Sequence, residues 1–193
     1  MDENILERYS HTADGRCIIS ITAGEVSDLY NSFDRHTPYV RKELNQDLVD
    51  YITDSASELG RNDFLIHFNL LEPVDEEMKK RISTSINSYF IYLRTIEINE
   101  LRRIMHASLI YLAIGIVFLF LSIHLRQLTA EESMLSKLFT EGLTIAAWVS
   151  LWQALATFLI NWTPYRRRIK LYQHIACSPV DFIEAPATAV QSG

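Results

Sequence analysis

The period of the apolar positions changes several times along the chain, and each change marks an element. Cys17-Ile-Ile-Ser-Ile-Thr, after the Asp14-Gly15 turn signal, predicts a short strand. Phe64, Ile66, Phe68 and Leu70 alternate with Leu65, His67 and Asn69, the period of two of a strand with one buried face. Between them residues 46–59 read as a helix with Leu48, Ile52 and Leu59 on its buried stripe. Asn45 is placed to cap that helix, Leu44 and Val49 to staple its entry, and Gly60 to end it. Residues 24–34 have room for one helical turn, and Pro38 favours an extended stretch after it.

From Pro73 the pattern turns helical and stays so. Met78, Ile82, Ile86, Tyr89/Phe90, Leu93, Ile96 and Ile104 share one stripe. Pro73 suits a first turn, and Asp75, Glu76 and Glu77 sit at the positive end of the dipole. No breaker occurs between Val74 and His124, so one helix is expected to run straight into the next apolar segment. At 1.5 Å per residue it would span about 76 Å and hold the head rigidly relative to a bilayer.

Two runs then lose their charges altogether. Ile104–Leu125 holds 22 positions and Gly142–Tyr165 holds 24 without a single Asp, Glu, Lys or Arg. Each contains the roughly 20 apolar residues a helix needs to cross a hydrocarbon core, giving expected transmembrane segments at 104–125 and 143–162. Trp162 and Tyr165 fall at an end, where interfacial aromatics belong. Thr129 and Glu132 have capping-box spacing, so the second helix is expected to begin near Ala130.

Composition misleads until it is read against this pattern. The 193 residues are 48% hydrophobic and 22% charged with a formal net charge of −6, the averages of an ordinary soluble domain. Residues 1–77, however, carry 17 acids and 6 bases, and residues 78–103 carry 6 bases and 2 acids. An acidic head followed by a basic collar has no electrostatic reason to bind nucleic acid. The collar suits orientation and anionic lipid headgroups. Arg94, Arg102 and Arg103 precede the first segment and Arg166, Arg167, Arg168 and Lys170 follow the second, whereas the connecting loop holds only Arg126 and Lys137. That bias places both termini in the cytoplasm. The acidic start lacks the apolar stretch of a secretory signal. Cys17 and Cys177 are far apart in sequence and read as unpaired, mostly buried thiols of a reducing compartment.

The apolar segments carry polar stripes. Ala146, Ser150, Gln153, Thr157 and Asn161 fall within about 80° on the second helix, opposite Trp148, Leu151, Leu155, Phe158 and Trp162. Ser108, Gly115 and Ser122 recur every seven on the first. Small and amide residues in lipid mark helix–helix contact, within the hairpin or between protomers. A water-lined path through an oligomer is the sharper alternative. His106 and His124 sit at the ends of the first segment as polar anchors.

The head offers little chemistry. Nucleotide, zinc, metalloprotease and serine-hydrolase motifs are missing. His11, His36 and His67 are scattered. No catalytic, cofactor-binding or metal residue is assigned, and no cofactor is called for. Asp28, Tyr30, Phe33, Asp34 and Arg35 form a candidate docking surface in a loop-like stretch. Val180-Asp-Phe-Ile-Glu is placed to return as a third strand, and residues 185–193 read as a disordered tail. A sheet with so few strands leaves open edges, which favours pairing with another copy.

Tyr30-Asn-Ser-Phe-Asp34, the strand–helix–strand head, Ala147-Trp-Val-x-x-Trp152 and Asn161-Trp-x-Pro-x-Arg-Arg together resemble a group of uncharacterised bacterial inner-membrane proteins. These have a cytoplasmic α/β head and a C-terminal two-helix transmembrane hairpin, and the likeness covers most of residues 17–183. It implies the inner membrane and no activity.

The expected fold is thus an α+β membrane protein. Residues 1–103 form a small, strand-poor β-α-β-α cytoplasmic head with a long juxtamembrane helix, 104–163 a transmembrane helical hairpin, and 164–193 a cytoplasmic basic segment with its tail. The leading functional expectation is a non-enzymatic homo-oligomer serving as a membrane scaffold or docking platform. Its expected partners are itself, membrane lipids including anionic headgroups, and an unidentified protein. The alternatives are an oligomeric pore or transport subunit lined by the second helix, and a membrane-tethered enzyme.

Overall fold

A computed structural model describes residues 8–32, 38, 42–128 and 134–184. The fold is mixed α+β. Its strands are β1 (Ser10–His11), β2 (Cys17–Ala23), β3 (Phe64–Leu70) and β4 (Val180–Glu184), and its helices are α1 (Gln46–Leu59), α2 (Glu76–Leu128) and α3 (Met134–Cys177). A 3₁₀ turn at Val26–Leu29 fills the stretch where one helical turn was expected.

The sheet has the order β1-β2-β3-β4. β1 is antiparallel to β2, while β2, β3 and β4 are parallel. Parallel neighbours need a crossover. Between β2 and β3 that crossover is α1. Between β3 and β4 it is the whole of α2 and α3, so the apolar hairpin is an insertion into a β-α-β unit. The returning strand falls where the sequence suggested. β1, only two residues long, left no periodic signal.

Local chemistry explains the element ends. Asn45 Oδ1 accepts the Asp47 amide at 2.9 Å to cap α1, and Gly60 closes the helix at φ 64°, in the left-handed region glycine tolerates. Leu44 and Val49 are both buried, as a hydrophobic staple requires. The start of α2 differs from the expectation at Pro73. Asp75 Oδ1 accepts the Met78 amide at 2.9 Å, and the helix begins at Glu76, because a carboxylate cap satisfies an amide that proline cannot. α3 continues past Pro164 to Cys177, through a stretch for which the sequence suggested only a basic segment. Packing explains this: Leu171, Tyr172, Ile175 and Ala176 belong to the core around the sheet. The expected start near Ala130 and its Thr129–Glu132 box lie outside the described residues, as does the 185–193 tail.

The chain divides into two compact units, Ile96–Arg168 and the described residues on either side of it. In the head unit one sheet face is covered. Ile19, Ile66, Phe68, Ile52, Leu59, Ile82, Ile86, Phe90 and Ile175 are fully buried there. The buried stripe of α1 is Val49, Ile52, Ser55, Ala56 and Leu59, with Leu48 at its margin. Phe68 stacks on Phe182 at 5.7 Å, tying β4 to β3 by side chains as well as by backbone. In the other unit the surface is apolar: Leu109, Phe120, Trp148, Trp152 and Ile160 are exposed. Both long helices contain an 18-residue stretch apolar enough to cross a membrane, and only 11% of each stretch is buried. A core helix of a soluble domain is mostly buried; these are not.

Candidate functional site

In the head, a concavity of about 800 Å³ lies beside the 3₁₀ turn and the start of α1, lined by Glu25, Ser27, Asp28, Tyr30, Asn45 and Asp47 among others. Its wall is tied together locally. Asp28 Oδ2 accepts the Glu25 amide at 3.0 Å, Ser27 Oγ donates to Glu25 at 3.0 Å, and Asn45 Nδ2 donates to the Asp28 carbonyl at 3.3 Å. Lys42 Nζ sits 4.7 Å above the Tyr30 ring. Of the candidate docking residues, Asp28 is exposed and Tyr30 is buried at 4% exposure with its ring in the core. Phe33, Asp34 and Arg35 lie outside the described residues. Among the described residues no cluster of metal-ligating side chains occurs.

The uncovered sheet face holds a row that the sequence did not suggest. Register aligns Ser20 with His67 and His67 with Asp181, on three neighbouring strands and on one face. These are the residue types of a charge relay, but among the described residues no hydrogen bond joins them, and a relay needs nucleophile and base within hydrogen-bond reach. Cys17 is buried, and burial pushes its thiol pKa up, which disfavours the thiolate. Its sulfur lies 3.6 Å from His11 Nε2. Cys177 is exposed, contrary to the expectation of buried thiols, and accepts a contact from Gln173 Nε2 at 3.0 Å.

The apolar unit is built around a seam between α2 and α3. Ser108 Oγ donates to the Ala154 carbonyl at 2.8 Å. Ser122 Oγ lies 2.6 Å from Thr144 Oγ1 and 3.4 Å from the Thr140 carbonyl. Between them Gly115 faces Ala147 and Leu151 so closely that an added Cβ would meet Leu151 Cγ at 2.8 Å and the Ala147 carbonyl at 3.2 Å. The seven-residue stripe Ser108–Gly115–Ser122 is therefore where the two helices touch, as small residues allow.

The partner face on α3 is Thr140, Thr144, Ala147, Leu151 and Ala154. The polar stripe of Ser150, Gln153, Thr157 and Asn161 is rotated from it by about 100° at 100° per residue. Its side chains bond along their own helix. Ser150 Oγ donates to the Ala146 carbonyl at 2.8 Å, Gln153 Nε2 to Thr157 Oγ1 at 3.3 Å, and Asn161 Nδ2 to the Thr157 carbonyl at 3.0 Å. Gln153 is exposed amid apolar neighbours. Spacing alone singled out both stripes. It did not reveal that one belongs to the hairpin and the other lies outside the seam.

The arginine collar is partly neutralised. Arg168 reaches Glu97 at 3.4 Å and Arg103 reaches Glu100 at 2.8 Å. Arg166 stacks over Trp162 at 4.8 Å. Arg102, Arg167 and Lys170 complete the basic set, and Arg102 lends its carbonyl to His106 Nδ1 at 2.8 Å.

No protein-family model matches the chain, and neither a curated protein nor a solved structure is detectably similar to it. Of the likeness drawn from Tyr30–Asp34, Ala147–Trp152 and the Asn161–Arg167 exit, what the structure shows is the architecture, a small α/β head and two long apolar helices.

Proposed function

We propose that the protein is an integral membrane protein of a bacterial inner membrane, with its head and both termini in the cytoplasm, that assembles with copies of itself into a scaffold or docking platform. The carrying observation is the polar stripe of α3, which lies outside the intramolecular seam with the exposed Gln153 at its centre. Lipid tails offer an amide no partner, whereas the same amide on a second copy offers both a donor and an acceptor. The sheet supports the same reading. Among the described residues β4 has a neighbour on one side only, so its other edge is open to pairing. Sidedness is supported by register: β3 precedes the hairpin and β4 follows it, yet they pair, and a bilayer cannot divide one sheet. The cationic bias of those flanks supports a cytoplasmic position for that side.

The mass of the detergent-extracted protein across a concentration series tests assembly. A multimer is expected, and Gln153→Leu should shift it toward monomer. A monomer at every concentration refutes the reading.

The same stripe supports a second reading, a pore or transport subunit in which several copies turn Ser150, Gln153, Thr157 and Asn161 to a common axis. Reconstituted vesicles should then leak small solutes, and Gln153→Leu should change the leak. Flux equal to that of empty vesicles removes it.

A further inference from the structure

The side of the hairpin away from the polar stripe holds a second feature. Next to the seam runs a groove of about 430 Å³, lined by Met105, His106 and Leu109 of α2 and by Leu151, Leu155 and Phe158 of α3. Apart from His106 and the seam hydroxyl of Ser108, which is spent on the Ala154 carbonyl, the lining is apolar.

The groove becomes polar toward one end in an ordered way. On α3, Phe158 stacks on Trp162 at 5.4 Å, and Arg166 lies over Trp162 at 4.8 Å. Leu155, Trp162 and Arg166 fall on one face, since i, i+7 and i+11 lie within about 40°. On α2, Leu109, His106 and Arg102, at i, i−3 and i−7, lie within about 60° of one another and run toward the same end. His106 donates from Nδ1 to the Arg102 carbonyl, which leaves Nε2 for another partner. Arg102 makes no ion pair among the described residues, in contrast to Arg103 and Arg168. Two helices thus present the same sequence of environments: an apolar trough, a histidine or tryptophan at the depth of an interface, and a guanidinium.

We infer that this groove is a site for one anionic phospholipid, with an acyl chain in the trough and the phosphate between Arg102 and Arg166. The inference rests on the hairpin spanning a membrane. Charge complementarity selects the occupant. An apolar trough with one arginine beyond it on each helix matches a molecule that is apolar along its length and anionic at its head. Free inorganic phosphate lacks the apolar part, and a zwitterionic lipid brings a cation against two others. The basic collar is consequently not uniform: Arg102 and Arg166 bind, while Arg103 is held by Glu100 and Arg167 points about 100° away from Arg166.

Native mass spectrometry of the full-length protein in neutral detergent tests this, with equal amounts of phosphatidylglycerol and phosphatidylcholine of identical chains in one sample and inorganic phosphate in another. Phosphatidylglycerol adducts should exceed phosphatidylcholine adducts roughly thirtyfold if each of the two arginines contributes as a basic residue near an anionic surface does, and phosphate alone should not be retained. Arg102→Gln with Arg166→Gln should abolish the preference, whereas the charge-matched Arg103→Gln with Arg167→Gln should keep it. Leu155→Trp fills the trough without changing charge and should lower lipid occupancy. Equal retention of the two lipids, retention of phosphate, equal loss in both double variants, or undiminished occupancy with Leu155→Trp overturns the inference. Resistance of the native protein to alkaline extraction from membranes tests the spanning reading separately, so a protein that stays in the membrane yet shows no lipid preference refutes only the site.

Discussion

The head and the hairpin are made from the same two long helices but are held together by different physics. In the head, Ile82, Ile86 and Phe90 of α2 and Ile175 of α3 are fully buried with the sheet, and large side chains fill the space. In the hairpin the contact surface is Ser108, Gly115 and Ser122 against Thr144, Ala147, Leu151 and Ala154, and most of the large side chains are exposed. Water drives the first arrangement, because apolar area leaves solvent. On the proposed reading lipid would remove that drive, and the second would rest on close approach and a few hydrogen bonds. The head should fail when a residue is made smaller, the hairpin when one is made larger.

Two probes keep the regions apart. Trp148, Trp152 and Trp162 are the three tryptophans of the chain, so intrinsic fluorescence reports the hairpin. Hydrogen exchange in β2 and β3, or alkylation of the buried Cys17, reports the head. The largest effect is expected from Phe68→Ala, which empties a fully buried site against Phe182. It should cost the head about 3–5 kcal/mol, speed Cys17 alkylation and leave the fluorescence transition in place. Matching shifts of both probes would break the comparison.

Gly115→Leu should do the reverse. Its side chain meets Leu151 and the Ala147 carbonyl, and overpacking of this kind costs about 1–3 kcal/mol. The fluorescence transition should move while exchange in β2 and β3 stays the same. Asn45→Ala, which removes the α1 cap, should cost the head about 1 kcal/mol. Its signature is faster exchange in the first turn of α1. The smallest effect belongs to Ser108→Ala. Losing the bond to the Ala154 carbonyl should cost about 0.6 kcal/mol, the average for polar contacts between membrane helices, and only fluorescence should register it. A Ser108→Ala loss larger than that of Gly115→Leu would show that hydrogen bonding rather than close approach holds the seam.

The same contrast governs how much was legible in advance. α1 and β3 were readable to the residue, because Asn45, Gly60 and the alternation from Phe64 to Leu70 act within a few positions of themselves. The seam was half readable. Ser108, Gly115 and Ser122 stand out against large apolar neighbours, but nothing in α3 distinguishes Thr140–Thr144–Ala147–Leu151–Ala154 as their partner. Both it and the Ser150–Asn161 stripe are plausible helix-contact faces, and the more polar one was singled out.

Taken alone, the amino-acid sequence determined the two charge-free runs, the acidic head with its basic collar, and the helix and strand periods, all properties of neighbouring residues. Tertiary structure decided what depends on distant ones. It paired β4 with β3 and so made the hairpin an insertion within the sheet's own crossover. It carried α3 through Pro164, because the residues beyond pack on the head core. It aligned Ser20, His67 and Asp181 by register, and it chose which α3 face meets Gly115. That last choice is the one that local pattern is least able to make. In an apolar surrounding every face of a helix is equally compatible with the solvent, and only the shape of the neighbouring helix breaks the tie.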